Sequence, residues 1–431
     1  MSMLQRCCLF LFALVCAARA DAQLAVEVTR GSTQAIPIAV VPFAGSTLAG
    51  GVDPAAVVAA DLERSGRFRA LARAEQLQQP TTAAQVDAAQ WRLLEVDYVV
   101  VGRLRTAQAG FEIEFELVNV LTGERLLGLA IPATPATARM ASHRVADAVY
   151  EKILGVRGAF ATRIAYVAVE GRVPQQTYRL IVADADGEQP RVVAQSRQPI
   201  MSPAWSPDAR SLAYVSFESG VSSIYVQTLR TGERARVSAR SGINGAPAWS
   251  PDATRLALTL SRRDGNVDIW VLTLATQQLE RLTEHEAIDT EPQWSADGRS
   301  IYFTSDRAGG PQIYRMAAVP GSAAERVTFE SPYSARARLA PDGRLLAVTT
   351  LDRGAFRIGT VDLERGALRV LTDGRLDESP SFAPNGALII YATREGSRGV
   401  LATVSVDGGV QQRLRAQGAD IREPVWSPFL R

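Results

Sequence analysis

The most regular feature of this chain is a pattern of apolar and polar positions that repeats about every 44 residues over its C-terminal two thirds. Each repeat opens with an apolar anchor, continues through a turn and then carries three more short runs of β-forming residues. The anchors are Trp205, Trp249, Trp294, Leu339, Phe382 and Trp426. Four short strands in a period near 45 residues are typical of a propeller blade, so this pattern predicts an all-β propeller.

The end of the chain predicts how the ring of blades closes. Five complete repeats precede the tail REPVWSPFLR, and this tail, at 422–431, contains only a first strand. Residues 162–170 and the two runs after them contain three strands and lack a first one. Together these pieces make a sixth blade, which removes the exposed strand edges of an open ring. We therefore expect six blades, with Trp426 packed inside the ring like Trp205 and Trp249.

The W-S-P-D residues of the repeats are interpreted as structural. The aromatic anchor packs between blades, and Pro followed by Asp or Asn suits the turn after the first strand, as at Pro207 and Asp208. This pattern predicts no active site at these positions.

Strands alternate with helices in the N-terminal third. Residues 35–43, AIPIAVVPF, form an apolar strand pattern, and Asp53 followed by Pro54 is a helix start. Further strand and helix patterns follow, which predicts a separate α/β domain over residues 23–156 before a propeller over residues 162–431. The link GVRGAFA is short, so the two domains should contact each other.

Residues 24–34, LAVEVTRGSTQ, alternate weakly between apolar and polar positions. Such a segment could add itself as a strand to the sheet edge of another protein. By pattern alone, a frayed terminus or an ordinary edge strand is the alternative.

The first 22 residues have the pattern of a signal peptide. Arg6 precedes an apolar run over 7–16, which is too short to span a bilayer, and small residues allow cleavage after Ala20 or Ala22. A short membrane anchor is the alternative. All three cysteines lie in this segment, so the mature chain would need no disulfide. We expect a periplasmic or secreted protein.

Composition adds several exclusions. The formal net charge is +2 and there is no long basic block, which argues against nucleic-acid binding. The chain has two histidines; His143, with Arg139 and Asp147 at four-residue spacing, suggests a solvated helix face, and His285 in TEHEA is a poor metal-ligand set. There is no G-x-S-x-G elbow either. We therefore expect no enzymatic activity, no cofactor and no metal site.

Several phrases, taken together, resemble the TolB family of the Tol-Pal system, and the resemblance covers nearly the whole mature chain. They include AIPIAVVPF at 35–43, VAADLERSGRF at 58–68, DYVVVGRL at 97–104, KILGVRGAFATRIAYV at 152–167, FTSDRAGGPQIY at 303–314 and LDESPSFAPNG at 376–386. The blade motif is common to many propellers, whereas the N-terminal phrases joined to VRGAFATRIAYV are more specific.

The resemblance implies a periplasmic scaffold that binds the lipoprotein Pal at one propeller mouth and TolA through the N-terminal segment. It implies support of outer-membrane integrity and of envelope constriction during division, and peripheral association with the outer membrane through Pal. It also implies that Pal binding tucks the N-terminal segment away from TolA. We expect a monomer. A propeller-based hydrolase and a peptide- or sugar-binding propeller are the alternatives.

The resemblance also implies site residues by motif. The expected Pal-binding residues are Asn244, Gly245, Thr290, Glu291, Pro292, Asp306, Arg307 and Glu378. The expected TolA-binding residues are Leu24, Val26, Glu27, Val28 and Thr29. Ile243 stands where the family has a histidine, which puts one polar contact with Pal in doubt.

Overall fold

The structure of this protein is a computed structural model that describes residues 24–30, 35–261, 265–416 and 419–430. For residues 24–30 and 415–416 it describes the backbone alone. The predicted signal peptide lies outside the described residues and stays a prediction.

The N-terminal domain is a five-stranded sheet with helices on both faces. Its helices are α1 (Pro54–Arg64), α2 (Ala88–Leu93) and α3 (Ala138–Leu154), and short 3₁₀ turns cover Ser46–Ala49, Arg73–Glu75, Ala83–Gln85 and Pro135–Thr137. The first strand of the chain, β1 (Leu24–Arg30), is not part of this sheet. The sheet strands are β2 (Ile36–Val40), β3 (Phe68–Ala70), β4 (Tyr98–Ala107), β5 (Gly110–Asn119) and β6 (Arg125–Ala133). The order is β3-β2-β4-β5-β6, with β2 parallel to β3 and β4 and the other pairs antiparallel.

Helix α1 shows why this sequence folds as it does. The Asp53 side chain accepts a hydrogen bond from the Ala56 N–H (3.1 Å) and so caps the helix, and Pro54 occupies its first position. Val58 and Leu62, one turn apart, are fully buried in the core beneath the sheet. The helix packs against α3, so both helices cover the same face of the sheet.

The rest of the described chain forms six antiparallel sheets, which are the blades of the propeller. Blade 1 contains β7 (Arg163–Glu170), β8 (Thr177–Asp184), β9 (Arg191–Ser196) and the last strand, β30 (Asp420–Trp426). Blade 2 contains β10 (Ile200–Trp205), β11 (Ser211–Ser216), β12 (Ser223–Thr228) and β13 (Arg234–Ser238); blade 3 contains β14 (Asn244–Trp249), β15 (Arg255–Ser261), β16 (Val267–Thr273) and β17 (Leu279–Arg281).

The other three blades follow the same order. Blade 4 contains β18 (Asp289–Trp294), β19 (Ser300–Ser305), β20 (Gln312–Ala317) and β21 (Glu325–Arg326), and blade 5 contains β22 (Ser334–Leu339), β23 (Leu345–Asp352), β24 (Ala355–Asp362) and β25 (Leu368–Val370). Blade 6 contains β26 (Glu378–Phe382), β27 (Leu388–Glu395), β28 (Arg398–Ser405) and β29 (Gln411–Ala416).

The prediction of six blades, with the tail completing the first one, is confirmed. Strand β30 pairs antiparallel with β7, with Trp426 opposite Ile164. The indole N–H groups of Trp249 and Trp294 donate to backbone carbonyls of the preceding blade, at 3.2 Å each, and that of Trp205 reaches the carbonyl of Val425 in β30 (3.1 Å). The tail is therefore part of the same inter-blade hydrogen-bond pattern.

Trp426 is buried in the ring, as expected, but its hydrogen bond differs from those of the other tryptophans. Its indole N–H donates to the hydroxyl of Thr162 at 2.8 Å instead of to a carbonyl of the preceding blade. The Ser381 hydroxyl of that preceding blade instead accepts a hydrogen bond from the Trp426 backbone N–H (3.0 Å). The last strand is thus tied both to the domain link and to blade 6.

The direction of the strands separates two ends of the propeller. First strands begin at one end, which we call the entry end, and run to the turns that follow their anchor residues at the other, which we call the turn end. The hairpins between third and fourth strands lie at the turn end as well, because neighbouring strands are antiparallel. Asn385, in a blade 6 turn, donates to the carbonyl of Arg157 (3.0 Å), so the N-terminal domain docks at the turn end.

Within the described ranges, no helix has the length and apolar character needed to cross a membrane.

Candidate functional site

The eight residues expected in a partner-binding surface gather at or near the entry end, on three blades. Asn244 and Gly245 begin the first strand of blade 3, and Glu378 begins that of blade 6. The other five belong to blade 4 and are Thr290, Glu291, Pro292, Asp306 and Arg307. The structure therefore brings residues up to 134 positions apart in the chain (378 − 244) to one end of the propeller.

The Asn244 side chain stabilises its own loop by hydrogen bonds. Its side chain is buried, and its amide oxygen accepts hydrogen bonds from the Ser238 hydroxyl (2.6 Å) and the Arg240 N–H (3.0 Å). Its amide nitrogen donates to the carbonyl of Arg240 (2.7 Å). Asn244 thereby shapes the surface beside Ile243, which is 49% exposed. A direct contact between Asn244 and a partner stays a prediction.

Arg307 is held in place by groups of its own blade. Its guanidinium donates to both carboxylate oxygens of the fully buried Asp289, at 3.0 and 2.8 Å. It also lies over the rings of Phe303 and Tyr314, 5.4 and 4.9 Å from the ring centroids. Much of its donor capacity is therefore used inside the blade, which limits what it can offer a partner.

We expect Asp289→Ala to destabilise the protein by about 3–5 kcal/mol, because it leaves the Arg307 guanidinium unpaired in a largely buried place. Urea unfolding of the mature protein measures this free energy. Arg125→Ala is the matched control, since it breaks an ion pair with Glu116 whose arginine side chain is 58% exposed, and it should cost less than about 1 kcal/mol. Equal losses for the two variants would contradict a structural role for the Asp289–Arg307 pair.

Thr290 and Glu291 lie where the entry end meets the central channel. The Thr290 hydroxyl is 3.3 Å from that of Thr259 on blade 3, which also accepts the Glu291 N–H at 3.2 Å. The Glu291 carboxylate accepts hydrogen bonds from Arg336 of blade 5, at 2.8 Å from Nε and 3.0 Å from the backbone N–H. This pair of residues therefore links three neighbouring blades.

Sequence reasoning missed a ring of six channel residues of which Glu291 is one member. Every first strand has a register irregularity, and each carries a non-glycine residue with φ between 42° and 58°. These residues are Ser202, Ala246, Glu291, Arg336, Ser379 and Glu423. Each stands three positions before its anchor, so the offset was detectable. The residue types at these six positions differ, however, so the sequence shows no repeated motif there.

This channel ring borders a cavity of about 470 Å³ that extends toward the prolines of the W-S-P turns. Burial opposes the charge on Arg336, but the carboxylates of Glu291, Glu423 and Glu378 raise the pKa of Arg336 above its usual value. Burial instead lowers the pKa of Arg338, which lines the same cavity. Left-handed backbone at non-glycine residues is strained and clusters at functional sites, which marks the channel as a candidate binding region.

The segment expected to bind a second partner forms β1, which pairs antiparallel with β29 on the outer edge of blade 6. Leu24 is opposite Ala416, and Val28 is opposite Gln412. Among the residues expected in this site, Leu24, Val26, Glu27 and Val28 are in register, and the ladder shifts between Val28 and Arg30, at Thr29. The backbone of the segment is thus already engaged in a sheet.

The expectation that His143 lies on a solvated helix face is wrong. His143 is completely buried, and its Nδ1 lies 2.6 Å from Asp61 Oδ2 on α1. The neighbouring face residues are not free in solvent either: Arg139 hydrogen-bonds Asp186 of the propeller, and Asp147 accepts the Phe160 N–H at 2.7 Å. The reason is tertiary, because this face of α3 packs against α1 and against the β8–β9 hairpin.

Asp61, His143 and Asp186 offer ligand atoms within 4.8 Å of one another, so they could in principle hold a metal ion. The guanidinium of Arg139 already contacts Asp186, and that of Arg64 lies 2.8 Å from Asp61. A divalent cation would therefore sit beside two fixed positive charges, which opposes binding. The geometry favours an ion-paired cluster over a metal centre.

Comparisons with known proteins match both parts of the chain. A family model described as the TolB amino-terminal domain matches residues 24–126, and one described as the TolB beta propeller domain matches residues 150–430. The chain is 58% identical over 416 residues to a protein of Methylococcus capsulatus named Tol-Pal system protein TolB, with 96% of each chain covered.

Two further comparisons agree. A protein of Xanthomonas oryzae pv. oryzae with the same name is 50% identical over 411 residues, which is 94% of this chain and 93% of the relative. The crystal structure of TolB from Acinetobacter baumannii superposes with a TM-score of 0.87 at 39% identity, covering 94% of this chain and all of that one.

Proposed function

The chain belongs to the TolB family of Tol-Pal system proteins, and from this premise we propose that it is a non-catalytic periplasmic scaffold. It binds Pal at the entry end of the propeller and TolA through the segment that forms β1. Through these contacts it supports outer-membrane integrity and envelope constriction during division. The observation that carries the proposal is the placement of the two candidate sites, which lie on separate surfaces and can serve two partners.

The entry end suits a protein partner. Ile243 and Ile288, on the loops that lead into blades 3 and 4, are 49% and 52% exposed beside the hydrogen-bonded Asn244 and Thr290. Protein–protein interfaces combine an apolar core with a polar rim. Exposed apolar side chains next to fixed polar groups match this arrangement. Ile243, which replaces the family histidine, would contribute apolar contact in place of a polar one.

We expect Thr290→Arg to weaken Pal binding at least about tenfold, because a long charged side chain would occupy the proposed contact surface. Gly245→Arg should act in the same way. The added Cβ at Gly245 would meet no atom nearer than 3.8 Å, so the fold can accept the larger side chain. Isothermal titration calorimetry of the mature chain with purified Pal measures the affinity.

Thr276→Arg is the matched control for these two variants. Thr276 is an exposed threonine in the third hairpin of blade 3, at the turn end of the propeller. It should bind Pal as the wild type does. If Thr290→Arg and Gly245→Arg also bind Pal with wild-type affinity while remaining folded, the entry end is not the Pal surface and that part of the proposal fails.

The N-terminal segment suits a partner that binds extended peptide. A segment that can pair as an edge strand can supply the same backbone groups to the sheet edge of another protein. Pairing with β29 and binding to TolA then compete for one backbone. Blade 6 carries β1 at its outer edge and Glu378 at its entry end, so one blade joins the two proposed partner sites.

A further inference from the structure

A buried group of charged side chains joins the N-terminal domain to the propeller. It contains residues of α1, of α3, of the end of β8 and of the turn that follows β8 in blade 1. We call it the interdomain cluster, and its members are Asp61, Arg64, Arg139, His143, Asp147, Asp184 and Asp186.

His143 stands at the centre of this cluster. Its Nδ1 lies 2.6 Å from Asp61 Oδ2 within the N-terminal domain. Its Nε2 faces the propeller and lies 3.8 Å from Asp184 Oδ2 and 3.8 Å from Asp186 Oδ2. That nitrogen is buried and has no hydrogen-bond partner among the described residues. The imidazole is thus placed between carboxylates that belong to two different domains.

The charges balance only when His143 carries a proton. The interdomain cluster holds four carboxyl groups and two guanidinium groups, those of Arg64 and Arg139. Asp147 has part of its charge offset by the N–H groups of Phe160 and Ala161, at 2.7 and 3.2 Å. The other carboxylates still exceed the guanidinium groups by one. Buried charges are stable only when paired, so an imidazolium at His143 completes the set.

We propose that His143 is a buried imidazolium that holds the propeller to the N-terminal domain, and that loss of its proton loosens this contact and releases β1 from blade 6. The consequence for TolA availability rests on the function proposed above. The coupling between His143 and β1 does not, because it is a property of this chain alone.

A direct path connects the interdomain cluster to β1. The backbone carbonyl of Arg64, in the last turn of α1, accepts a hydrogen bond from the Gln412 side chain on β29. Gln412 lies opposite Val28 in the β1–β29 ladder. Gly66, just after α1, also packs closely against Val410, the residue before β29, since a Cβ at Gly66 would lie 2.3 Å from a Val410 methyl. A shift of α1 against the propeller would therefore disturb the strand on which β1 pairs.

The contact between the domains is otherwise incompletely packed. A cavity of about 290 Å³ lies beside Arg64 and is lined by Tyr150 and Phe160 of the N-terminal side and by Val410 and Trp426 of the propeller. A cavity of this size means that dispersion contacts are missing at the interface. The interdomain cluster therefore carries a larger share of the docking than it would in a filled interface.

Loss of a proton from either His143 or Asp147 weakens the docking of the two domains as the pH rises. Burial opposes the charge on His143, but Asp61 and Asp184 outweigh it and raise its pKa from 6.5 to about 8. The stabilisation is therefore complete below pH 6.5 and is lost as the pH rises through about 8. Burial raises the pKa of Asp147 from 3.8 to about 6, so its ionisation also weakens the docked state as the pH rises.

The first experiment follows the two histidines of the full mature chain by NMR between pH 5 and 9.5. His285→Gln identifies the His143 signal, because the chain has no third histidine. We expect the His143 signal to titrate near pH 8, and Asp184→Asn to move its midpoint toward lower pH. A midpoint at or below 6.5, or binding of added Zn²⁺ that displaces the His143 proton at neutral pH, would overturn the proposal.

The second experiment measures hydrogen exchange of the 24–30 backbone amides, corrected for intrinsic rates. In the wild type, protection should fall as the pH passes through 8, by up to about 30-fold, which corresponds to the displacement of the His143 pKa by about 1.5 units. His143→Gln should lack this fall and show low protection at pH 6.5, whereas His285→Gln should match the wild type. If His143→Gln does not fold, Asp184→Asn takes its place in the comparison. Its 24–30 amides should lose less protection at pH 6.5 than is expected for His143→Gln.

Protection of the 24–30 amides that is independent of pH and equal in all variants would overturn the link between His143 and β1. Neither measurement uses Pal or TolA. A protein whose β1 responds to His143 but binds neither partner would contradict the proposed function and leave the coupling intact.

Discussion

Truncation after Gln417 is expected to abolish cooperative folding of the propeller. The truncated chain loses β30, and with it the antiparallel ladder to β7 and the fully buried Ile421. It also loses Trp426 and the Val425 carbonyl that accepts the Trp205 indole N–H. Each large buried side chain is worth about 2–5 kcal/mol, so the sum, with the lost ladder, approaches the 5–15 kcal/mol that stabilises a typical domain.

Circular dichroism melting and differential scanning calorimetry of the mature protein test this result. Deleting residues 24–30 is the matched control, because it also removes one terminal strand that pairs in a blade. That strand is an addition to the complete blade 6, whereas β30 supplies the missing first strand of blade 1. The control should melt within a few degrees of the wild type. If both proteins melt alike, the ring does not depend on its terminal strand for closure.

Deletion of residues 24–30 is expected to reduce TolA binding at least about 100-fold and to lower Pal affinity only by the factor by which Pal lowers TolA affinity, because the two effects are reciprocal. The reason is the separation of the two proposed sites: the segment lies on the outer edge of blade 6, and the Pal surface lies at the entry end. An interaction made mainly by main-chain groups of one strand has no substitute once the strand is removed. Surface plasmon resonance with immobilised TolA, followed by calorimetry with Pal, measures both affinities.

The matched control keeps the length of the segment and changes its ability to pair as a strand. Replacing Val26 and Val28 by proline removes two backbone N–H donors and should weaken TolA binding nearly as much as the deletion. Wild-type TolA affinity in the deleted protein would exclude residues 24–30 as the TolA site. Repeating the measurement with saturating Pal should lower the wild-type affinity for TolA, and equal affinities would exclude sequestration of β1 by Pal.

The architecture of this protein could be predicted from its sequence because the strands of one blade are close together in the sequence. A strand, a turn and the next strand lie within about 15 residues of each other, so their apolar spacing and turn residues occur together in the sequence. The same reasoning placed the tail in blade 1, since REPVWSPFLR contains the W-S-P triplet that also ends the first strands of blades 2 and 3. The alternation of strands and helices likewise indicated the α/β domain.

The site was only partly predictable. The motifs placed Thr290 and Glu291 at a propeller mouth, and the structure adds what each of them contacts. They did not show that Arg307 is engaged with Asp289, nor that Glu291 belongs to a ring with Arg336 and Glu423. The sequence did not predict the ring, because its members share only a left-handed backbone conformation. Ser, Ala, Glu and Arg adopt this conformation here, and their side chains have no chemistry in common.

By itself the sequence determined the number of blades, the α/β domain and the strand that closes the ring. Only the tertiary structure decided that His143 faces Asp61, 82 residues away, and that β1 pairs with β29 at the other end of the chain. The physical reason is that periodicity records which face of an element is apolar, whereas charges buried between domains depend on how those faces meet. The polar spacing of Arg139, His143 and Asp147 is the same whether water or a second domain covers it.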